Sequence, residues 1–326
     1  VGDLIREGAA LGDGIDKIFY RSQTAKTPFD MSTRATNVEQ LEFTGNVDGT
    51  GVRGNALPNI IKGSLSSNMI EGGAGADSLL GMGGDDTLDG GQGIDTLIGG
   101  DGSDTYKVSN TEDRIVETGT DGGIDTIQTL ADYTLGENIE NLELLKGSAL
   151  SGVGNTLANT IYGNENDNSL SGLENNDSLN GGIGNDTLEG ATGNDTLEGG
   201  EGIDRAVYSG AFDDYQLKID VETGTLYVVD VRSEMLALDA NGNPVYVNGV
   251  VATVPINPNL LDGEDYLSSI ELLQFSDDSE YRWMPETNAS PEDGMIQVEL
   301  IPWDGNMDIL SIINPLEDIT TVGFAS

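Results

Sequence analysis

Over residues 72–108 the apolar positions return every nine residues. In "GGAGADSLLGMGGDDTLDGGQGIDTLIGGDGSDTYKV" the beat falls on Leu79, Leu88, Leu97 and Tyr106, each two positions after an aspartate: Asp77, Asp86, Asp95 and Asp104. Glycines precede every aspartate. Helical burial repeats near 3.6 residues and strand burial near 2, so a period of nine describes a larger unit that is copied. Each apolar position then marks a strand too short to stand alone, burying one side chain against its stacked neighbours.

The beat extends in both directions. Stepping back by nines reaches Asn68 and Asn59, with Ile70 and Ile61 in the apolar slot, and stepping forward reaches Asp113 with Ile115. About a hundred residues later the arrangement recurs: Asp177, Asp186, Asp195 and Asp204 repeat the first four, Asn159 and Asn168 match the two asparagines, and Asp213 continues the phase. The lead-in segments match as well, "NVEQLEFTG" (37–45) with "NIENLELLKG" (138–147) and "GDGIDKI" (12–18) with "DGGIDTI" (121–127). "GDLIREG" at the start echoes "EDRIVETG", so the chain reads as opening part-way through an earlier unit, with further copies upstream. A partial third echo stands at "DGEDYLSSIELLQFSD" (262–277).

These patterns predict an all-β chain, a parallel β-roll or β-helix in two tandem blocks followed by an antiparallel β cap. The expected divisions are a partial lead-in unit over 1–53, a first block over 54–116, and a second lead-in over 117–153. A second block follows over 154–213, then a β-hairpin capping region over 214–282 and a linker with a C-terminal segment over 283–326. The cap rests on "YQLKID" and "TLYVVD" around "VETG", and on "PVYV" before "NGVV". The linker rests on the Pro, Asn and Gly content of "WMPETNASPEDG".

Composition narrows the chemistry. The formal charge is −43, only 37% of residues are hydrophobic and 6% aromatic, and there are 46 glycines among 326 residues. Such an excess of carboxylates opposes nucleic acid and anionic membrane as partners, and opposes compaction unless something neutralises it. Residues 63–106 and 147–204 contain no Lys or Arg. There is no cysteine and no histidine, which removes disulfides, the usual zinc ligands and any Ser-His-Asp or Cys-His mechanism. Cysteine-free composition suits an extracellular protein. No apolar run approaches a membrane span of about 18 residues. No signal peptide is visible, and an opening on Val1 reads as a fragment or processed piece.

Glycines at positions one, two and four of the nonapeptide permit tight turns with positive φ, so that main-chain carbonyls can converge beside the aspartate at position six. Oxygen-only ligands suit a hard cation, and a loose glycine loop favours Ca²⁺ over Mg²⁺. Other signals are weaker. "DANGNP" (239–244) starts like an EF-hand loop but places Pro244 where glycine is required, and reads as a hairpin turn. "NDT" and "NDS" are glycosylation sequons only because the repeat spells them. Paired carboxylates for glycoside hydrolysis have nothing specific behind them here, and Trp283 and Trp303 read as packing anchors.

GGxGxDxUx, with U apolar, resembles the calcium-binding repeat of the RTX (repeats-in-toxin) proteins, which are type I secreted. The resemblance covers about 54–113 and 154–213. It implies that two nonapeptides form one turn of a β-roll, with each calcium between loops eighteen residues apart. Asp77 would then share an ion with Asp95, Asp86 with Asp104, Asp177 with Asp195, and Asp186 with Asp204. Carbonyls at positions two and four of the first loop and one and three of the second would complete each site. That rule names Gly73, Gly75, Gly90 and Gln92 for the first pair, and Gly84, Gly99 and Asp101 for the second. For the second block it names Gly190, Thr192, Gly182, Gly184, Gly199 and Glu201. Asp95 with Asp113 forms an outer site using Gly91 and Gly93, and Asp195 with Asp213 another. Asn68–Asp86 and Asn168–Asp186 are weaker, because an amide oxygen carries no charge. The resemblance thus implies Ca²⁺ in several copies, roughly four to eight ions.

The function this implies is a calcium-folded region of a large secreted or cell-surface protein, of adhesin or surface-layer type, acting as scaffold and secretion-coupled folding module. It would be no enzyme, and catalytic residues are none. Its partners would be calcium ions, with other copies of itself or cell-surface components as candidates, and it would lie outside the cell or on a bacterial surface. The alternative is the C-terminal RTX module of a secreted hydrolase or epimerase whose catalytic domain lies elsewhere. "DILSIINPLEDITTVGFAS" has the apolar and hydroxyl character of a type I secretion signal and could equally open another domain.

Overall fold

A computed structural model describes residues 6–7, 17–20, 29–34, 37–43, 50–117, 123–211, 214–219, 226–230, 234–236, 246–247, 250–251, 253–255, 264–270, 272–274, 280–282 and 301–302. Asp213, the "DANGNP" segment, Trp283, Trp303 and the C-terminal segment lie outside the described residues.

In each nonapeptide the residues after the aspartate alternate inward and outward, as in Thr87–Gln92 and Thr96–Asp101, where the leucine is buried and its neighbours are partly exposed. A two-residue alternation makes a strand. The glycines that follow turn the chain to the opposite face, where the next strand repeats the pattern. The chain therefore coils as a parallel β-solenoid, and each described strand over 50–207 pairs with a strand one turn before it, one turn after it or both, and not with its neighbour in sequence.

Register explains why the apolar slot must be strict. On one face Ile70, Leu88, Tyr106, Ile127, Leu142, Ile161, Leu179, Leu197 and Leu267 are consecutive cross-strand partners. On the other, Leu41, Ile61, Leu79, Leu97 and Ile115 form one column, and Gly152, Leu170, Leu188, Ala206 and Leu273 a second. From Ile61 to Leu197 the leucine and isoleucine rungs of these columns, Ile115 apart, are at most 1% exposed. Each buried rung contributes about 1.5–3 kcal/mol, so the core is an additive column with no central cluster.

The two faces differ. One is a single sheet in which eleven strands run parallel from Phe29–Asp30 to Glu264–Ser268, ending with the antiparallel pair Leu226–Asp230 and Tyr215–Ile219. The opposite face is divided, the first sheet ending at Arg114–Val116 and the next beginning at Tyr133–Thr134. The coil is irregular at this division. Slot partners there stand 21 residues apart (Asp104–Asp125) and then 15 (Asp125–Glu140) instead of 18. The two repeat blocks and the segment between them are thus one continuous solenoid.

Loop geometry also shows where the repeat has drifted. Gly91 and Gly93 have φ of 89° and 147°, and a Cβ there would sit 2.2 and 1.6 Å from the carbonyl oxygens of Gly73 and Gly75. Met82, Leu173 and Ala191 hold comparable positive φ (91°, 85° and 70°) with a side chain attached. That conformation costs an L-residue about 1–2 kcal/mol. Ala191→Gly loses only a methyl group, so it is expected to raise the thermal midpoint of the calcium-loaded protein, by about 1 kcal/mol in stability. A midpoint that falls would show that the loop carries no strain at Ala191.

Candidate metal centre

The aspartates of the repeat are brought together along the two edges of the roll. Each sends its Oδ1 to the backbone N–H of the slot residue one turn earlier: Asn59 donates to Asp77, Asp77 to Asp95, and Asp95 to Asp113, at 2.7, 2.7 and 2.9 Å. The other edge of this block runs Asn68 to Asp86 to Asp104, at 2.6 and 2.7 Å. The second block repeats both ladders, Asn159 to Asp177 to Asp195 and Asn168 to Asp186 to Asp204, all at 2.7 Å. All nine predicted aspartates are less than a tenth exposed.

The second carboxylate oxygen is the unusual one. Oδ2 of Asp77, Asp86, Asp95, Asp113, Asp177 and Asp186 is buried and accepts no hydrogen bond. A buried carboxylate oxygen without a donor is expensive, and sites of this kind are filled by a cation or a proton. Burial accordingly raises these acids. From the usual 3.8, Asp77 and Asp186 rise to about 6, Asp177 to about 7 and Asp86 to about 8. In each case the backbone N–H on Oδ1 pulls the value down, and the next carboxylate along the ladder pushes it up again. Asp95, Asp113 and Asp204 are raised as well, again first by burial.

Carbonyl oxygens converge on the same places. A Cβ on Gly72 would lie 2.5 Å from Asp77 Oδ2 and 2.6 Å from the Gly90 carbonyl oxygen. The point above Gly81 is shared in the same way by Asp86 Oδ2 and the Gly99 carbonyl, and that above Gly181 by Asp186 Oδ2 and the Gly199 carbonyl. Asp195 Oδ2 lies 2.2 Å from the equivalent point above Gly190. The carbonyls of Gly84, Gly182 and Gly184 point at the backbones of Gly102, Gly200 and Gly202 one turn on, as those of Gly73 and Gly75 do at Gly91 and Gly93. Gln92, Asp101, Thr192 and Glu201 sit at strand ends in register with Ala74, Gly83, Glu174 and Ile183. The carbonyls of Gln92 and Glu201 accept the N–H groups of Gly75 and Gly184, both at 2.8 Å. An oxygen-only donor set of carboxylates and main-chain carbonyls, in glycine loops, fits a hard divalent cation of calcium type.

Three acidic residues that the nine-residue count does not reach join the ladders. Asp125 accepts the N–H of Asp104 at 2.7 Å, after a coil lengthened to 21 residues. Asp265 accepts the N–H of Asp195 at 2.9 Å, from 70 residues away, so Asp195 is followed on its edge by Asp265 in the place expected for Asp213. Carboxylate oxygens of Asp104, Glu117 and Asp125 all lie within 4.8 Å of one another. Glu117 also accepts the hydroxyl of Tyr106, which in turn accepts the Gly99 N–H at 2.7 Å. The echoes "DGGIDTI" and "DGEDYLSS" carried the signal for Asp125 and Asp265. Nothing in the pattern marks Glu117.

A family model of the RTX calcium-binding nonapeptide repeat, four copies long, matches residues 53–88, 62–97, 80–110, 153–188 and 171–206. No curated protein matches the chain. Among the described residues no helix is long and apolar enough to cross a membrane.

Proposed function

We propose, from the premise that this chain carries RTX calcium-binding nonapeptide repeats and is a calcium-binding β-roll module, that it forms the calcium-folded scaffold of a large secreted or cell-surface protein. The reading is of adhesin or surface-layer type, with no catalytic part in this chain. One observation carries it: buried aspartate oxygens without donors recur along both edges, beside main-chain carbonyls that have the spacing of a cation cradle.

Asp77 and Asp95 would hold one ion, with Asp86 and Asp104, Asp177 and Asp195, and Asp186 and Asp204 holding three more. The residues do the positioning. Each Oδ1 is fixed by an N–H from the turn before, which aims Oδ2 into the loop, and each glycine removes the Cβ that would block the carbonyl opposite. The bound cation supplies charge neutralisation and links turn to turn. Inside the cell, where calcium is scarce, the repulsion of the carboxylates would keep the chain extended and fit for passage through a secretion channel. Outside, millimolar calcium would fold it.

Equilibrium calcium binding tests the assignment. Asp95→Asn leaves the ladder hydrogen bond in place but removes one charge from the Asp77 loop pair, and is expected to lower stoichiometry by one ion or weaken one site at least tenfold. Unchanged stoichiometry and affinity in a folded variant would remove Asp95 from the metal centre.

A further inference from the structure

Aspartate and asparagine fill the same slot of the repeat but leave opposite demands behind them. Where the slot holds asparagine, the amide oxygen takes the place of the aspartate Oδ2, 2.5 Å from the Cβ position of Gly54, Gly63, Gly154 or Gly163. Here it does have a donor, the N–H four residues earlier: Asn55 to Asn59, Ser64 to Asn68, Asn155 to Asn159 and Asn164 to Asn168, at 2.7–2.9 Å. In three of the four the amide nitrogen then donates backward to carbonyls of the preceding turn, whereas Asn68 Nδ2 is buried without an acceptor. Asn159 reaches Ile139 and Glu140, both at 3.1 Å, and Asn168 reaches Ala149 at 3.2 Å.

A further asparagine in both loops of the second block does the same. Asn155 Nδ2 donates to the carbonyls of Gly136 and Ile139, at 2.6 and 2.7 Å, Asn164 Nδ2 to Leu145 and Ala149, at 3.2 and 3.1 Å, and Asn166 Nδ2 to Gly147, at 2.9 Å. The end of the first block uses the same device. Ser109 Oγ and Asn110 Nδ2 donate to the carbonyls of Gly91 and Gly93, the two that the repeat rule offers to a cation between Asp95 and Asp113. An amide –NH₂ group is a two-donor, uncharged substitute for a cation among carbonyls.

We propose that side-chain amides replace the cation where the aspartate ladders of the second block begin, so that the turns over 133–168 form a metal-independent island between two metal-dependent stretches. This rests on the calcium reading of the aspartate turns. Two of the island's three slot residues, Asn159 and Asn168, carry no charge, and the third, Glu140, has its Oε2 on the N–H of Asp125 at 2.8 Å. The carbonyls named above already have donors, and the rungs Leu142, Ile161 and Leu170 are as buried as those of the aspartate turns. It therefore stays coiled when calcium is withdrawn and presents a formed sheet edge on which each flanking stretch can build.

Hydrogen–deuterium exchange of the full chain, with EGTA and then with millimolar calcium as the only added metal, tests this. In EGTA the amides over 151–170 are expected to exchange at least about tenfold more slowly than those over 86–104 and 187–204, and calcium should protect the latter while leaving the island unchanged. Asn155→Ala combined with Asn164→Ala should abolish the island's protection in EGTA, while calcium still protects 86–104. Equal, fast exchange of the island and the aspartate turns in EGTA overturns the proposal and leaves the calcium reading standing. Equal, slow exchange overturns the calcium reading and the proposal with it. Protection that survives both alanines shows that the amides are not its cause.

Discussion

Withdrawing calcium at neutral pH is expected to remove most of the far-UV circular dichroism β signal of the aspartate turns, and millimolar calcium to restore it cooperatively, with magnesium ineffective. Two magnitudes decide this. The folded turns bury carboxylate oxygens that accept no hydrogen bond, at several kcal/mol for each charge held away from water without a partner. Residues 63–106 and 147–204 offer no lysine or arginine against them, in a chain of net charge −43. Against this, each site saturated at a hundredfold over its dissociation constant adds about 2.7 kcal/mol, so four sites add about 11 kcal/mol. That sum is as large as the whole stability of an ordinary domain, and it vanishes with the ion. Magnesium holds its water and its octahedral geometry too firmly to accept a loose carbonyl loop. A complete β signal in EGTA would mean that the aspartate sites are paid for by something other than metal.

Without calcium, acid should stabilise the fold. Burial raises Asp77, Asp177, Asp186 and Asp86 from 3.8 to between about 6 and about 8. Below 3.8 both folded and unfolded chains hold these protons and nothing is lost. As pH climbs, the unfolded chain ionises first while the folded one keeps its protons, so the folded state binds more of them and loses stability until its own raised values are passed. Lowering the pH of a metal-free sample from 7.5 to 5.5 is therefore expected to increase β signal. With calcium present the dependence reverses, because the ligand must be ionised and protons compete for it. Circular dichroism across this window, in buffer stripped of metal by a chelating resin, reads both curves. A metal-free chain that loses structure on acidification would show that these carboxylates are not the obstacle to folding.

The period of nine made the coil and its edges legible because both are repeated. One apolar residue per nonapeptide fixes the column, and one aspartate fixes the ladder, so Leu88, Leu97 and their copies could be placed by counting. Counting fails where the coil changes length. Asp125 and Asp265 occupy ladder positions that a step of eighteen does not reach, and Asp113, which the step does reach, sits beneath carbonyls already engaged by Ser109 and Asn110. The asparagine slots look like worn aspartates in sequence. Their amide nitrogens show otherwise only when the carbonyls of the preceding turn are in view, since those carbonyls belong to lead-in residues outside the glycine-aspartate nonapeptide.

The contact between Asp195 and Asp265 spans 70 residues where its counterparts span 18. In polymer terms the longer closure adds only about 1.2 kcal/mol of entropy, from three-halves RT times the logarithm of the length ratio, less than a single buried leucine returns. The two ends of the excursion leave and rejoin the sheet one strand spacing apart, about 4.8 Å. An architecture of this kind can lengthen by admitting a passenger between coils as readily as by copying a coil, because the register of everything beyond the seam is set by the rung beneath it and not by the length of chain that came before.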